Sequence, residues 1–159
     1  MGALNLTPEP EQEKITADKI ELLSRIRSGA GWFYWIAGLS IINSAILLFG
    51  GRLNFIIGLG FTQLVDGILI GASGGEPGNV GVLRIIGFVL DLVIAGIFIL
   101  IGVFSAQAQV WAFLVGIIFY SLDAVLYLLI GDFLPFGFHV FALFFIVRGF
   151  LAARQIKAV

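Results

Sequence analysis

The chain contains no cysteine and one histidine, and only 12% of its 159 residues are charged. Without cysteine there is no disulfide, no thiolate metal site and no redox dithiol, which excludes thiol-dependent chemistry. A single imidazole, His139, cannot clasp a haem from both faces or build a multi-histidine centre within one chain, so neither a cofactor nor a metal site is expected beyond carboxylate-rich or intersubunit ones. The net charge is −1, with no basic arm and no Lys/Arg-studded helix, so a nucleic-acid partner has no electrostatic footprint.

What fills the chain instead is apolar. Hydrophobic residues make up 60% of it, against roughly 45–50% in soluble domains. Beyond Ala30 the only charges before the C-terminal tail are Arg52, Asp66, Glu76, Arg84, Asp91, Asp123, Asp132 and Arg148. Long uncharged runs between them mark an all-α integral membrane protein whose main partner is the lipid bilayer, because backbone groups in lipid must pair within their own helix.

Residues 1–14 are Pro- and Glu-rich without apolar periodicity and read as a disordered tail, lacking the basic start and apolar core of a cleaved signal. Over 15–28, Ile15, Leu22 and Ile26 share one helical face while Asp18, Lys19, Glu21 and Arg25 occupy the others, the pattern of a short amphipathic surface helix or of a solvated extension of the first span. A transmembrane domain follows over 29–153, with spans expected at about 31–49, 53–72, 82–104, 109–130 and 134–153, before a short basic tail at 154–159. The second segment is the weakest. Its apolar residues contribute about 0.3–0.6 kcal/mol each and are largely offset by Asp66 at about 3 kcal/mol with Asn54, Thr62 and Gln63, so a re-entrant segment is the alternative to a crossing.

Shifting the chain by 58 residues superimposes Ile36-Ala37-Gly38 on Ile94-Ala95-Gly96, and Phe55, Gly58, Phe61 and Leu64 on Phe113, Gly116, Phe119 and Leu122. This internal repeat suggests two tandem helical hairpins plus a fifth helix. Lys14, Lys19, Arg25, Arg27 and Arg84 on the N-terminal side, against Arg52, Arg154 and Lys157 opposite, lean toward a cytoplasmic N-terminus in a bacterial-type inner (plasma) membrane. An even number of crossings would put both basic ends inside.

Carboxylates are expensive in hydrocarbon, so their position carries the functional reading. With five alternating crossings, Asp66, Asp91, Asp123 and His139 fall in one half of the bilayer, the half facing the N-terminal tail, and Arg84 joins them. Gln63 lies one turn from Asp66, Arg84 shares a face with Asp91, and Tyr120 and Tyr127 share a face with Asp123. These eight residues form the candidate ligand, ion-binding or relay site. Asp66, Asp91 and Asp123 would bind or relay charge, Arg84 would balance them, and His139, Tyr120 and Tyr127 would tune or gate. The function implied is a channel, transporter or carrier for protons, ions or a small amphipathic solute. The alternative is a noncatalytic structural or assembly subunit, docked on itself as a homo-oligomer or on a membrane complex, with the same polar groups as interhelical glue.

The tetrapeptide Gly71-Ala72-Ser73-Gly74, with His139 further on, resembles the Gly-x-Ser-Gly motif of rhomboid intramembrane proteases. The resemblance implies an intramembrane hydrolase with Ser73 as nucleophile and His139 as base. Here Ser73 ends a helical pattern and runs into Gly-Glu-Pro-Gly, so the helix that should follow the nucleophile is missing, and the residues themselves name no catalytic group.

Overall fold

The computed structural model of the chain describes residues 10–49, 59–72 and 77–158. These form five helices, α1 (Pro10–Leu48), α2 (Gly60–Ala72), α3 (Pro77–Ala106), α4 (Val110–Leu129) and α5 (Phe133–Gln155), with no strand among the described residues. Helix α1 opens on Pro10, where a missing N–H costs nothing, and carries Glu11 and Glu13 in its first turn, where the helix dipole favours negative charge. It then continues for 39 residues without a break. Segment 15–28 is therefore the leading part of the same helix that contains 31–49.

Helices α1, α3, α4 and α5 are long and apolar enough to cross a membrane. Helix α2 has 13 residues, about 20 Å at 1.5 Å per residue, short of the ~30 Å hydrocarbon core. The first part of the expected second span, through residue 58, lies outside the described residues.

Contacts between helices fix their relative directions. Phe33 and Tyr34 on α1 pack on Phe98 and Gly102 of α3, whereas Ser44, further along α1, meets Asp91, earlier on α3. The two helices are antiparallel. On the other side Gly29 abuts Gly149, and Trp32 stacks on Phe145 and reaches back to Phe141 and Phe138, so α1 and α5 are antiparallel too. Phe113 meets Gly149 while Asp123 meets His139, which opposes α4 to α5. Thus α1 and α4 run one way and α3 and α5 the other. Five alternating crossings, or a tandem duplication of a two-helix unit, would make α1 and α3 parallel. The structure departs from both expectations because the short α2 does not carry the chain from one end of the bundle to the other.

Small residues set the spacing. A Cβ added to Gly29 would lie 2.8 Å from the Cα of Gly149, so α1 and α5 touch backbone to backbone. At Gly116 the added carbon would come within 2.4 Å of two ring carbons of Phe33, which is how this fully buried ring enters the centre of the bundle between α3 and α4. Both turns flanking α4 close helix ends with Schellman hydrogen bonds. After α4, Gly131 (φ 76) donates to Leu128 and Asp132 to Tyr127; after α3, Ala108 (φ 58) donates to Ser105 and Gln109 to Phe104.

Candidate functional site

The first N–H groups of a helix have no acceptor within it, and α2 begins against α1 and α4. Three side-chain oxygens from those two helices supply acceptors. The amide of Leu59 donates to Ser40 Oγ of α1 at 2.9 Å, that of Gly60 to Asp123 Oδ2 at 2.8 Å, and that of Phe61 to Asp123 Oδ1 at 2.7 Å. Asp123 on α4 is thus a helix cap supplied in trans, its charge set against the positive end of the α2 dipole. Thr62 Oγ1 donates back to the Leu59 carbonyl at 2.8 Å. Gly60 is required by proximity, since a Cβ there would fall 2.6 Å from the ring of Tyr127.

His139 on α5 completes the carboxylate shell. Its Nε2 lies 2.8 Å from Asp123 Oδ2 and its Nδ1 2.8 Å from the carbonyl of Pro135. A carbonyl can only accept, so Nδ1 carries a hydrogen, and the Nε2–Oδ2 contact holds one more proton. With that proton on nitrogen the pair is imidazolium and carboxylate; on oxygen it is imidazole and acid. The pair is net neutral either way, which reconciles two ionisable groups with burial at 0% and 3% exposure. Tyr120 stacks on the imidazole at a 4.4 Å centroid distance and Tyr127 tilts against it at 5.0 Å, so the ring is clamped between phenols.

A second branch joins α3. Ser44 Oγ lies 2.5 Å from Asp91 Oδ2 and 3.0 Å from the Ser40 carbonyl. The hydroxyl has one hydrogen, so it serves one acceptor at a time. Ser40 supplies its carbonyl to this branch and its hydroxyl to Leu59, so polar groups from all five helices lie along one path from Asp91 to His139, its two branches joined by the Leu59–Gly60 backbone. A groove of about 480 Å³ opens between α2, α3 and α4, with walls including Phe61, Phe98, Phe119 and Leu122, and Asp123 is the one charged residue lining it among the described residues.

Of the residues singled out from sequence, Asp123, His139, Tyr120 and Tyr127 meet at one point, and Asp91 joins through the two serines. They gather toward the end where α1 finishes, not toward the end of the N-terminal tail, because α3, α4 and α5 run opposite to the directions that five crossings imply. The ion pairs among the described residues are Arg25 with Glu21 and His139 with Asp123. No ion pair joins Arg84 to Asp91 among the described residues, and the Arg84 Nε is buried there without a hydrogen-bond partner. The side chains of Gln63 and Asp66, and the whole of Ser73, lie outside the described residues. Both nitrogens of His139 are engaged by Pro135 and Asp123, which leaves the imidazole without a free face for a serine. No group of three or more His, Asp or Glu able to hold a metal occurs among the described residues.

Sequence reasoning missed Ser40 and Ser44, whose i, i+4 spacing beside Asn43 in an apolar span was a readable signal, and the amides of Leu59, Gly60 and Phe61, which left none. The fold and site define a helical bundle able to span a membrane around a buried polar chain. No protein-family model, curated protein or solved structure matches it.

Proposed function

We propose that the chain is a small carrier-type membrane protein for protons or a small amphipathic solute, with the Asp123–His139 pair as its charge-handling element. One observation carries this reading: Asp123 caps α2, shares a proton with His139 and lines the apolar groove. An apolar body in the groove would bring its polar end to Asp123, and movement of α2 away from its cap would leave the carboxylate to be met by a proton or a solute donor. In this reading α2 is a re-entrant half-helix, the chain crosses four times, and both termini lie on the cytoplasmic side of a bacterial-type inner membrane. Seven of the nine Lys and Arg residues then fall at the end holding both termini, against Arg52 and Arg84, the asymmetry that the positive-inside rule favours.

Purified protein in liposomes holding a pH-sensitive dye tests it. His139→Gln, which preserves a donor toward Asp123 but removes the imidazole, should reduce proton or solute-coupled flux at least tenfold. Wild-type flux no faster than in empty liposomes would reject the reading. So would unchanged flux in a folded variant.

The noncatalytic assembly subunit is favoured by a different observation, the complete satisfaction of Asp123 by protein donors, as interhelical glue requires. In that case the same variant loses thermal stability while no preparation shows flux, and the wild-type chain co-purifies with a fixed partner or with itself.

A further inference from the structure

A second groove, of about 610 Å³, lies on the opposite side of α1 from the polar chain, between α1 and α5, and is lined by Arg27, Ser28, Gly31, Trp32, Trp35, Leu39 and Phe138. Its volume is that of an ordinary small-molecule site. Arg27, Gly31, Trp35 and Leu39 follow one another at intervals of four along α1, so the groove runs down one helix face for about 18 Å. Its two ends differ in kind. Arg27 and Ser28 stand at the end shared by both chain termini, and Arg27 is in no ion pair among the described residues. The other end is apolar, walled by Leu39 and Phe138, and Trp35 stands 67% exposed along the way. Gly31 opens the floor: a Cβ placed there meets nothing within 4 Å.

We infer that this groove binds one anionic phospholipid from the leaflet on the side of the termini, its phosphate on Arg27 and Ser28 and one acyl chain along Trp35, Leu39 and Phe138. A guanidinium beside a hydroxyl suits a phosphodiester, and basic pockets between membrane helices recognise anionic headgroups. A free anion would have no use for the apolar half of the groove, and a wholly apolar ligand none for Arg27. The site is independent of the Asp123–His139 pair and stands whether or not the chain carries a solute.

Native mass spectrometry of the detergent-purified protein, with phosphatidylglycerol, phosphatidylcholine or inorganic phosphate added separately, tests the inference. Wild type should retain phosphatidylglycerol over phosphatidylcholine, and Arg27→Gln should cut that preference about fivefold, the effect of one basic group at a lipid headgroup. Gly31→Leu, whose side chain enters open groove space and improves helix propensity, should displace the lipid without loss of thermal stability. Arg148→Gln, removing a cation that sits over Phe144 and does not line the groove, should leave the preference intact. Equal retention of the two lipids by wild type, an undiminished preference in Arg27→Gln, or full retention in Gly31→Leu would overturn the inference. Stabilisation by inorganic phosphate alone, equal to that by phosphatidylglycerol, would also overturn it, because the groove would then read a free anion.

Discussion

His139 holds Asp123 at 2.8 Å across the α4–α5 contact, and Asp123 in turn holds the first two amides of α2. Asp123→Asn keeps the shape but turns one acceptor into a donor, which in either orientation would face a backbone N–H of Gly60 or Phe61. Removing one partner of a buried pair costs about 3–5 kcal/mol. The expected outcome is a loss of that order in denaturant titration, with much faster hydrogen exchange at Gly60 and Phe61. Unchanged exchange at those two amides would refute the trans cap. His139→Gln should cost less, because the carboxylate keeps its two amide donors.

Tyr120 gives a prediction of opposite sign. Its ring packs on His139, yet its hydroxyl is buried without a partner among the described residues. An unsatisfied buried hydroxyl carries a desolvation cost of about 1–3 kcal/mol. Tyr120→Phe should therefore leave stability unchanged or raise the melting midpoint, while Tyr120→Leu, which loses the stacked ring, should lower it. A clear destabilisation by Tyr120→Phe would show that the phenol makes a bond the described contacts lack.

Glycines of equal standing in the sequence differ sharply in space. Gly149→Ala would force a carbon to 2.9 Å from both the Gly29 Cα and the Phe113 ring, whereas Gly38→Ala meets nothing within 4 Å. Overpacking of this kind costs about 1–3 kcal/mol, and an unhindered Gly-to-Ala change in a helix gains up to about 1 kcal/mol. Thermal midpoints of the two variants should therefore move in opposite directions.

The Schellman turns rank in the same way. Ala108 holds φ 58, a left-handed conformation that a Cβ disfavours by about 1–2 kcal/mol, whereas Gly131 holds φ 76 freely. Ala108→Gly should raise the midpoint and Gly131→Ala lower it.

How far these features were legible differs by kind. The apolar runs announced every long helix, because a span must be apolar along its whole length to lie in lipid, and Gly131 announced the turn after α4. Ala108 announced nothing, since its strained dihedral is imposed by the turn and not by its side chain. Tyr120, Asp123 and Tyr127 could be grouped from helical spacing, which puts them on one face, and His139 joined them through its depth on the next helix. What sequence could not yield was the partner of that face. Besides His139, the donors that satisfy Asp123 are two backbone amides, and backbone groups look alike at every position. The helix directions hinge on one choice: hydrophobicity alone does not decide between a crossing and a half-helix for a segment carrying Asp66 and Gln63, and each later helix inherits its direction from it.

That choice leads to the most decisive measurement. The chain has no cysteine, so single-cysteine variants each present one thiol to a membrane-impermeant maleimide. Asp18, Gln107, Asp132 and Lys157 are all exposed and lie respectively near the start of α1, in the α3–α4 turn, in the α4–α5 turn and after α5. With α1 and α3 antiparallel, four crossings put Asp18→Cys, Gln107→Cys and Lys157→Cys on one face and Asp132→Cys on the other. Five crossings instead pair Asp18→Cys with Asp132→Cys, opposite Gln107→Cys and Lys157→Cys. Labelling in right-side-out and inverted vesicles should give the three-to-one pattern. The two-to-two pattern would mean that α2 and the residues before it cross the bilayer after all, and a cap buried between α2 and α4 could not then hold its present position.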